Sequence, residues 1–267
     1  MWQPKVKTIA ALQKGLIVLD AVQAHGSGIS LQELHAQTAI PKATLLRLLL
    51  TLEQHGAVWR RHADGFFCAS QATRPMPAGL APMERLAECA ADELDSLQTR
   101  IQWPSDLAVR HEYGMRLCET NRTTSYITVH KDKLGFEINM LRSAVGRAYL
   151  SFCSDDERAE ILDGLRRSER PGDLLARSPA RLKAIFDDTR QRGYGIRDPG
   201  FGGHYDKSKS QFNDRLSALA VPILHEDGVH GCINIVWIEG LFSVDQIAGE
   251  HLATLKKTAA RIARKMA

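Results

Sequence analysis

SLQELHAQTAIPKATLLRLLLTLEQH, residues 30–55, reads as two short helices and the turn between them. Ser30 followed three residues later by Glu33 is a capping-box signature that opens a helix, with Leu31 and Leu34 on its inward face. Pro41 disfavours helical geometry at Ile40 and itself suits a first helical turn, so a second helix begins there. Leu45, Leu48, Leu49 and Leu52 fall at helical spacing, which leaves Lys42, Ala43, Thr44 and Arg47 near the helix start facing a partner. Two helices and a tight turn, with small polar and basic residues opening the second, form the helix-turn-helix arrangement that lays a recognition helix in the DNA major groove. An ordinary helical hairpin in a core has the same pattern, so the flanking segments decide between them.

Upstream, Ile9, Leu12, Leu16, Leu19 and Val22 recur at helical spacing over residues 8–25 and predict a supporting first helix, stopped by Gly26 and Gly28. Downstream, Gly56 closes the recognition helix, and residues 58–63 run through Asp64-Gly65 into Phe66-Phe67-Cys68. Asp-Gly between two such runs is a hairpin signal. In a DNA-binding reading, Arg60 and Arg61 of that hairpin reach phosphates or an adjacent minor groove; otherwise they are solvated charges on a strand edge. Three helices followed by a basic hairpin make a winged helix-turn-helix.

Charge supports that reading. The 267 residues carry a net +4, are 44% hydrophobic and 25% charged, and lie in the range of globular proteins of one or two domains. Residues 1–75 hold eight basic and four acidic side chains, whereas the remainder holds 27 of each, so the whole excess sits on the helix-turn-helix segment. No apolar run approaches the roughly 20 residues that span a bilayer, and the N-terminus lacks a signal-peptide core, which predicts a cytoplasmic protein without membrane partners. Cys68, Cys89, Cys118, Cys153 and Cys232 lie far apart with no zinc or redox spacing and read as reduced thiols.

Residues 72–82, ATRPMPAGLAP, have the composition of a linker, and Leu86, Ala90, Leu94, Leu97 and Ile101 then form one helical stripe that caps the next domain or pairs with its copy. The expected domains are residues 1–75, a linker and linker helix at 76–102, and residues 103–267. Trp103-Pro104 breaks the helix and the period changes. Residues 107–111, 116–120, 126–131 and 135–141 read as strands, with Tyr113-Gly114 turning the first pair; helices follow at 143–152, 155–165 and 179–192. Strands at 216–224 and 229–238 flank Glu226-Asp227-Gly228, and a last helix starts at Ser243, with Gln246 three residues on. The class is α+β around a mostly antiparallel sheet.

Within this half, Arg142-Ser143-Ala144-Val145-Gly146 marks a strand entering a helix, with Ser143 as N-cap. Free N–H groups and the positive end of the helix dipole favour a carboxylate there, with Ala144 and Val145 as main-chain donors and Arg142 as a counter-charge; a plain capped helix start and a solvated arginine are the alternatives. Cys118 with His111, or Cys232 with His230, pairs a thiol with a base, but no third group orients either pair. The glycine-rich run at 193–203 has neither dinucleotide nor P-loop spacing and reads as a mobile loop. His225, Glu226 and His230 flank a hairpin turn and are either metal ligands or solvated surface residues; the position at a strand turn favours the second, no metal is assigned, and the first stays open.

SLQELHAQTAIPKATLLRLLLTLEQHGAV at 30–58, SAVGRAYLS at 143–151 and LSALAVPILHEDGVHGCINIVWI at 216–238 together resemble the IclR-type transcriptional regulators, in order and over almost the whole chain. The resemblance implies a winged helix-turn-helix, a linker helix and a GAF-like effector-binding domain. It implies a regulator, activating or repressing catabolic genes, whose partners are double-stranded operator DNA, a small carboxylate, further copies in a dimer or tetramer, and RNA polymerase, with no cofactor and no catalytic residue. Its nearest branch is the activators of hydroxyphenylpropionate catabolism, which points to an aromatic acid. The competing expectation is a metabolite-binding enzyme with a helical accessory domain. In the family the turn at 143–146 lines the effector pocket, and the carry-over adds Asn234 as a polar contact with Val236 and Met140 as apolar wall. Departures are Arg147 for the usual lysine, Ala220-Val221-Pro222 for Ala-Ala-Pro, and Asn234 and Val236 where some relatives have two serines, which suits a ligand with more apolar surface than a small keto acid.

Overall fold

The computed structural model describes residues 8–70, 81–122, 134–205 and 207–266 and divides into two compact units, residues 1–88 and 89–267. In the first unit α1 (Ala10–Ala24) buries Val18, Ala21 and Val22. Ile9, Leu12 and Leu16, part of the sequence-predicted stripe, are instead 52–68% exposed. The segment is helical as its period predicts, but the buried face is rotated toward Val18, and a second apolar face is left open.

Helix α2 (Leu31–Thr38) starts with the reciprocal capping box: the Glu33 N–H donates to Ser30 Oγ (3.2 Å) while the Ser30 N–H donates to Glu33 Oε2 (2.9 Å). Ala39 at φ +56° ends it in the left-handed region, and α3 (Lys42–Gln54) opens behind Pro41, whose carbonyl accepts from Thr44 and Leu45. Leu45 and Leu49 are fully buried with Leu34, Val18 and Val22 in one small core. β1 (Val58–Arg60) and β2 (Phe67–Ala69) form the antiparallel wing, and Ile29 ties the wing to the start of α2 through paired backbone hydrogen bonds with Phe67.

Helix α4 (Ala81–Arg100) runs from the first unit into the second, and its predicted stripe, Leu86, Ala90, Leu94 and Leu97, is buried along with Ile101. The linker expected at residues 72–82 lies outside the described residues except for its last two positions, where α4 has begun. In the second unit β3 (Asp106–His111) pairs with β4 (Gly114–Thr120) through a turn at Glu112-Tyr113, one residue earlier than predicted, with Glu112 at φ +53°. β5 (Glu137–Ile138) is followed by α5 (Ala144–Phe152), α6 (Asp155–Arg167), a 3₁₀ turn (Pro171–Arg177), α7 (Pro179–Arg192), β6 (Gly195–Ile196), β7 (Leu216–His225), β8 (Gly228–Ile238) and α8 (Val244–Met266). The six strands form one antiparallel sheet in the order β5-β4-β3-β8-β7-β6. No described helix is long and apolar enough to cross a membrane.

Two expectations are corrected here. The strand predicted at 135–141 is only two residues long, because the buried Asn139 turns the chain: its Oδ1 accepts the N–H groups of Leu141 (3.0 Å) and Arg142 (2.9 Å), an arrangement that competes with a strand ladder. The glycine-rich run, expected to be a loop throughout, holds regular structure at its start. Gly193 at φ +76° ends α7, Gly195 lies in β6, and the following segment is pinned by the Arg197–Asp214 ion pair and by the Lys209 N–H on the Gly200 carbonyl. The strand expected at 126–131 lies outside the described residues.

Candidate DNA-recognition face and effector site

The opening turn of α3 is presented to solvent. Lys42, Ala43 and Arg47 are exposed, Thr44 is half-buried, and Leu46 and Leu50, outside the stripe of Leu45, Leu48, Leu49 and Leu52, are about half exposed. The turn behind it is fixed by side chains that the sequence does not advertise: His35 Nδ1 meets the Ile40 carbonyl (2.8 Å) and Thr38 Oγ1 donates to the Leu34 carbonyl (2.6 Å). On the wing the two arginines diverge. Arg61 forms a two-pronged ion pair with Asp64 (3.0 and 2.6 Å) across the hairpin turn and lies over the Phe66 ring, so its charge is spent within the wing. Arg60 is exposed and in no ion pair with a described residue; its guanidinium lies over the Phe67 ring and makes one long contact to the Gly65 carbonyl (3.4 Å).

In the second unit a cavity of about 60 Å³ gathers Ser143, Ala144, Val145, Asn234 and Val236 from the sequence-predicted set, together with Phe136, Ile138, Phe201, Leu216 and Ala218 as apolar wall. Ser143 caps α5 by accepting the Gly146 N–H (3.0 Å). That satisfies one of the helix's orphan donors and leaves two. The N–H groups of Ala144 and Val145, residues 3% and 2% exposed, have no hydrogen-bond acceptor among the described residues. Buried donors of this kind are rare without a bound partner, and the helix dipole adds positive potential to them. The turn is this tight because of two glycines: a Cβ on Gly146 would stand 2.1 Å from the Met140 carbonyl oxygen, and one on Gly195 would stand 2.4 Å from that of Ala144.

Arg147 holds the turn from behind. Its guanidinium donates to the carbonyls of Leu141 (2.9 Å) and Ile196 (3.2 Å) and to Asp198 Oδ2 (2.6 Å), so one side chain ties the start of α5 to β6. A lysine ammonium cannot span three such partners in a fork. Arg142 and Met140 do not line the cavity. Arg142 donates to the Gly200 carbonyl (2.7 Å) and borders a separate open groove with Arg181, and Met140 is fully buried in the main core.

The cavity's remaining polar groups went unseen in the sequence. Asp106, 2% exposed, receives Arg122 Nε (2.8 Å) and Nη2 (2.7 Å), Thr120 Oγ1 (2.7 Å) and Asn234 Nδ2 (3.0 Å), while its own N–H donates to Asn234 Oδ1 (2.7 Å). Burial alone would raise the Asp106 carboxyl, but the charge and hydrogen bonds of Arg122 outweigh it and hold the group below the usual aspartate value. Asn234 is thus committed at both ends of its amide to Asp106. Arg197 also lines the cavity; its Nη2 donates to Asp214 (2.7 Å) and the Phe201 carbonyl (3.0 Å), while its buried Nε has no partner. These pairings depend on strand register over as many as 128 residues, so local motifs carry no trace of them.

The thiol–base pairs weighed from the sequence do not form. His111 Nδ1 meets Arg116 Nη2 (3.0 Å) rather than Cys118, and His230 Nε2 meets Asp227 (2.6 Å) rather than Cys232. Burial pushes the Cys118 thiol up to about 12 and Cys232 well above its ordinary value, the reverse of an activated nucleophile.

Residues 11–62 match the family model described as the IclR helix-turn-helix domain. Among curated proteins the chain is 24% identical over 198 residues to a probable HTH-type transcriptional regulator, ArcR, of Halobacterium salinarum, covering 72% of this chain and 73% of that protein. It is also 24% identical over 197 residues to the transcriptional repressor IclR of Escherichia coli, covering 73% and 71%. Among solved structures it shares the fold of the Thermotoga maritima IclR (TM-score 0.54, 20% identity, 97% and 99% covered). An IclR homolog complexed with 4-hydroxybenzoate, from Microbacterium hydrocarbonoxydans, has the same fold (TM-score 0.53, 17% identity, 96% and 98% covered).

Proposed function

We propose that this chain is a transcriptional regulator of the IclR type, rather than an enzyme, and that it is switched by a small carboxylate bound at the start of α5. The observation that carries the reading is the pair of buried, unpartnered N–H groups of Ala144 and Val145 on the wall of a cavity. A carboxylate seated there accepts both donors and is further favoured by the helix dipole. Arg197 Nε is the third free donor on that wall. Val236, Ala218, Ile138 and Phe201 supply apolar surface for the rest of the ligand, which favours an aromatic acid; the relative that carries 4-hydroxybenzoate lends weight to that class. The cavity is well below the roughly 300–1,000 Å³ of ordinary ligand sites, so a ring requires its wall to open.

On the output side Lys42, Thr44 and Arg47 address phosphates and base edges of operator DNA, Ala43 packs against the groove, and Arg60 of the wing takes a further phosphate while Arg61 braces the hairpin. Two copies read two half-sites; the open apolar face of α1, with Ile9, Leu12, Leu16 and Ile17, supports self-association. The test is thermal unfolding of the full chain across a panel of short-chain and aromatic carboxylates with their amides as controls. Carboxylates of one class raise Tm in a saturable way and the matching amides do not. Equal stabilisation by acid and amide, or none by any acid, overturns the assignment.

A further inference from the structure

We propose that the β7–β8 hairpin carries a surface site for a divalent transition-metal ion, with His225, Asp227 and His230 as its ligands. The sequence places two histidines and Glu226 around this turn and suggests solvated side chains; the fold selects a different carboxylate and brings three donors together. His225 Nδ1 lies 2.9 Å and His230 Nε2 2.6 Å from the same oxygen of Asp227, Oδ1. The two imidazoles meet edge to face with centroids 5.4 Å apart. One ligand atom from each of the three residues lies within 4.8 Å of the other two.

The backbone accounts for this convergence. His225 pairs with Gly228 and Leu224 with Val229, but Ile223 pairs with Gly231, so His230 is an extra residue in β8 without a partner across the ladder. A bulge of this kind re-aims the side chain it carries, and here the His230 ring is turned back over the two-residue turn that holds Asp227. Both histidine side chains are about a quarter exposed, which fixes their rings, while the Asp227 side chain is 68% exposed and leaves the approach open to an ion.

Two imidazole nitrogens and one carboxylate oxygen suit Zn²⁺, Ni²⁺ or Cu²⁺ and not Mg²⁺ or Ca²⁺, which take oxygen shells. At Zn–N distances of about 2.0–2.1 Å the donors of a tetrahedral shell stand roughly 3.3 Å apart; each imidazole nitrogen, now 2.9 and 2.6 Å from Asp227 Oδ1, therefore opens by under an ångström, while no pair of ligand atoms starts more than 4.8 Å apart. The ion displaces the hydrogens that now bridge the rings to Asp227, and a water takes the fourth position. The site is independent of both the DNA face and the effector cavity.

The test uses untagged full-length protein freed of metal by chelation and titrated with Zn²⁺ by calorimetry, with Co²⁺ absorbance as a geometric readout. One Zn²⁺ binds per chain, Co²⁺ gives the intense visible bands of a four-coordinate site, and Mg²⁺ gives no signal. His225→Ala and His230→Ala each weaken Zn²⁺ binding by more than about tenfold, and Asp227→Asn weakens it less. All three variants lie at an exposed turn and keep the parent's unfolding transition in chelator, which separates loss of the site from loss of fold. Absence of saturable Zn²⁺ binding, or affinity unchanged in both histidine variants, overturns the proposal.

Discussion

Asp106 and Arg122 are the residues on which the cavity side of the sheet depends, and they are nearly inaccessible to water. A buried pair of this kind contributes less than its Coulomb energy suggests, but breaking it leaves an uncompensated charge and costs about 3–5 kcal/mol. Asp106→Asn keeps the shape and removes the buried negative charge that Arg122 faces, so urea unfolding at pH 7 should show a loss of up to that scale. The pH dependence follows from the direction of the shift. The folded carboxyl sits below its unfolded value, so its contribution is fully present above the unfolded pKa, about 3.9, and is lost as pH falls through the folded value. The gap between wild type and variant should therefore narrow on acidification toward pH 3 and stay constant from pH 6 to 8; a constant gap over the whole range contradicts the assignment. Such a residue is not legible in the sequence. Ser143 announces itself as a cap because its acceptor role is settled within three residues, whereas Asp106 acquires meaning only when β3 is registered against β8 and the chain beyond β4 delivers Arg122.

The same division between local and distant causes holds for elements. Helices α2, α5 and α8 begin where Ser30, Ser143 and Ser243 predict, each with a side-chain cap. β5 and β6 were missed or overextended because they are two-residue edge strands with no alternation to read, existing only through pairing with β4 and β7. α1 shows a third case: its period is legible, but which of two apolar faces turns inward depends on neighbours it has yet to meet. Helix α2 spans only eight residues, so its cap carries a large share of its stability. Ser30→Ala removes the acceptor for the Glu33 N–H and should cost about 1 kcal/mol. In a denaturant titration followed through Trp59, which lies in the same unit, the midpoint should fall at unchanged slope. Ser30→Thr, which keeps the hydroxyl, should restore most of the loss; an equal loss in both variants means that the cap is not what holds the helix.

At the scale of the whole chain, the sequence segregates charge from neutrality and the fold separates two compact units accordingly, the basic excess with the wing and α3 and the cavity with the sheet. A regulator built this way works only if the effector binds two states of the protein with different affinities, because a ligand that binds both equally shifts nothing. Coupling of about 1–3 kcal/mol, a factor of roughly 5–150, is what such switches supply. The effector that raises Tm should change operator affinity by a factor in that range, and operator DNA should change effector affinity by the same factor, since linkage is reciprocal. Arg47→Ala separates the two ends. It should weaken operator binding by about tenfold at matched salt and reduce the salt dependence by about one phosphate contact, while the effector-induced rise in Tm stays at the wild-type value. If Arg47→Ala leaves operator affinity intact, α3 does not lie in the groove as its exposed first turns imply. If the variant instead loses the effector response without DNA present, the two functions share a site rather than an equilibrium.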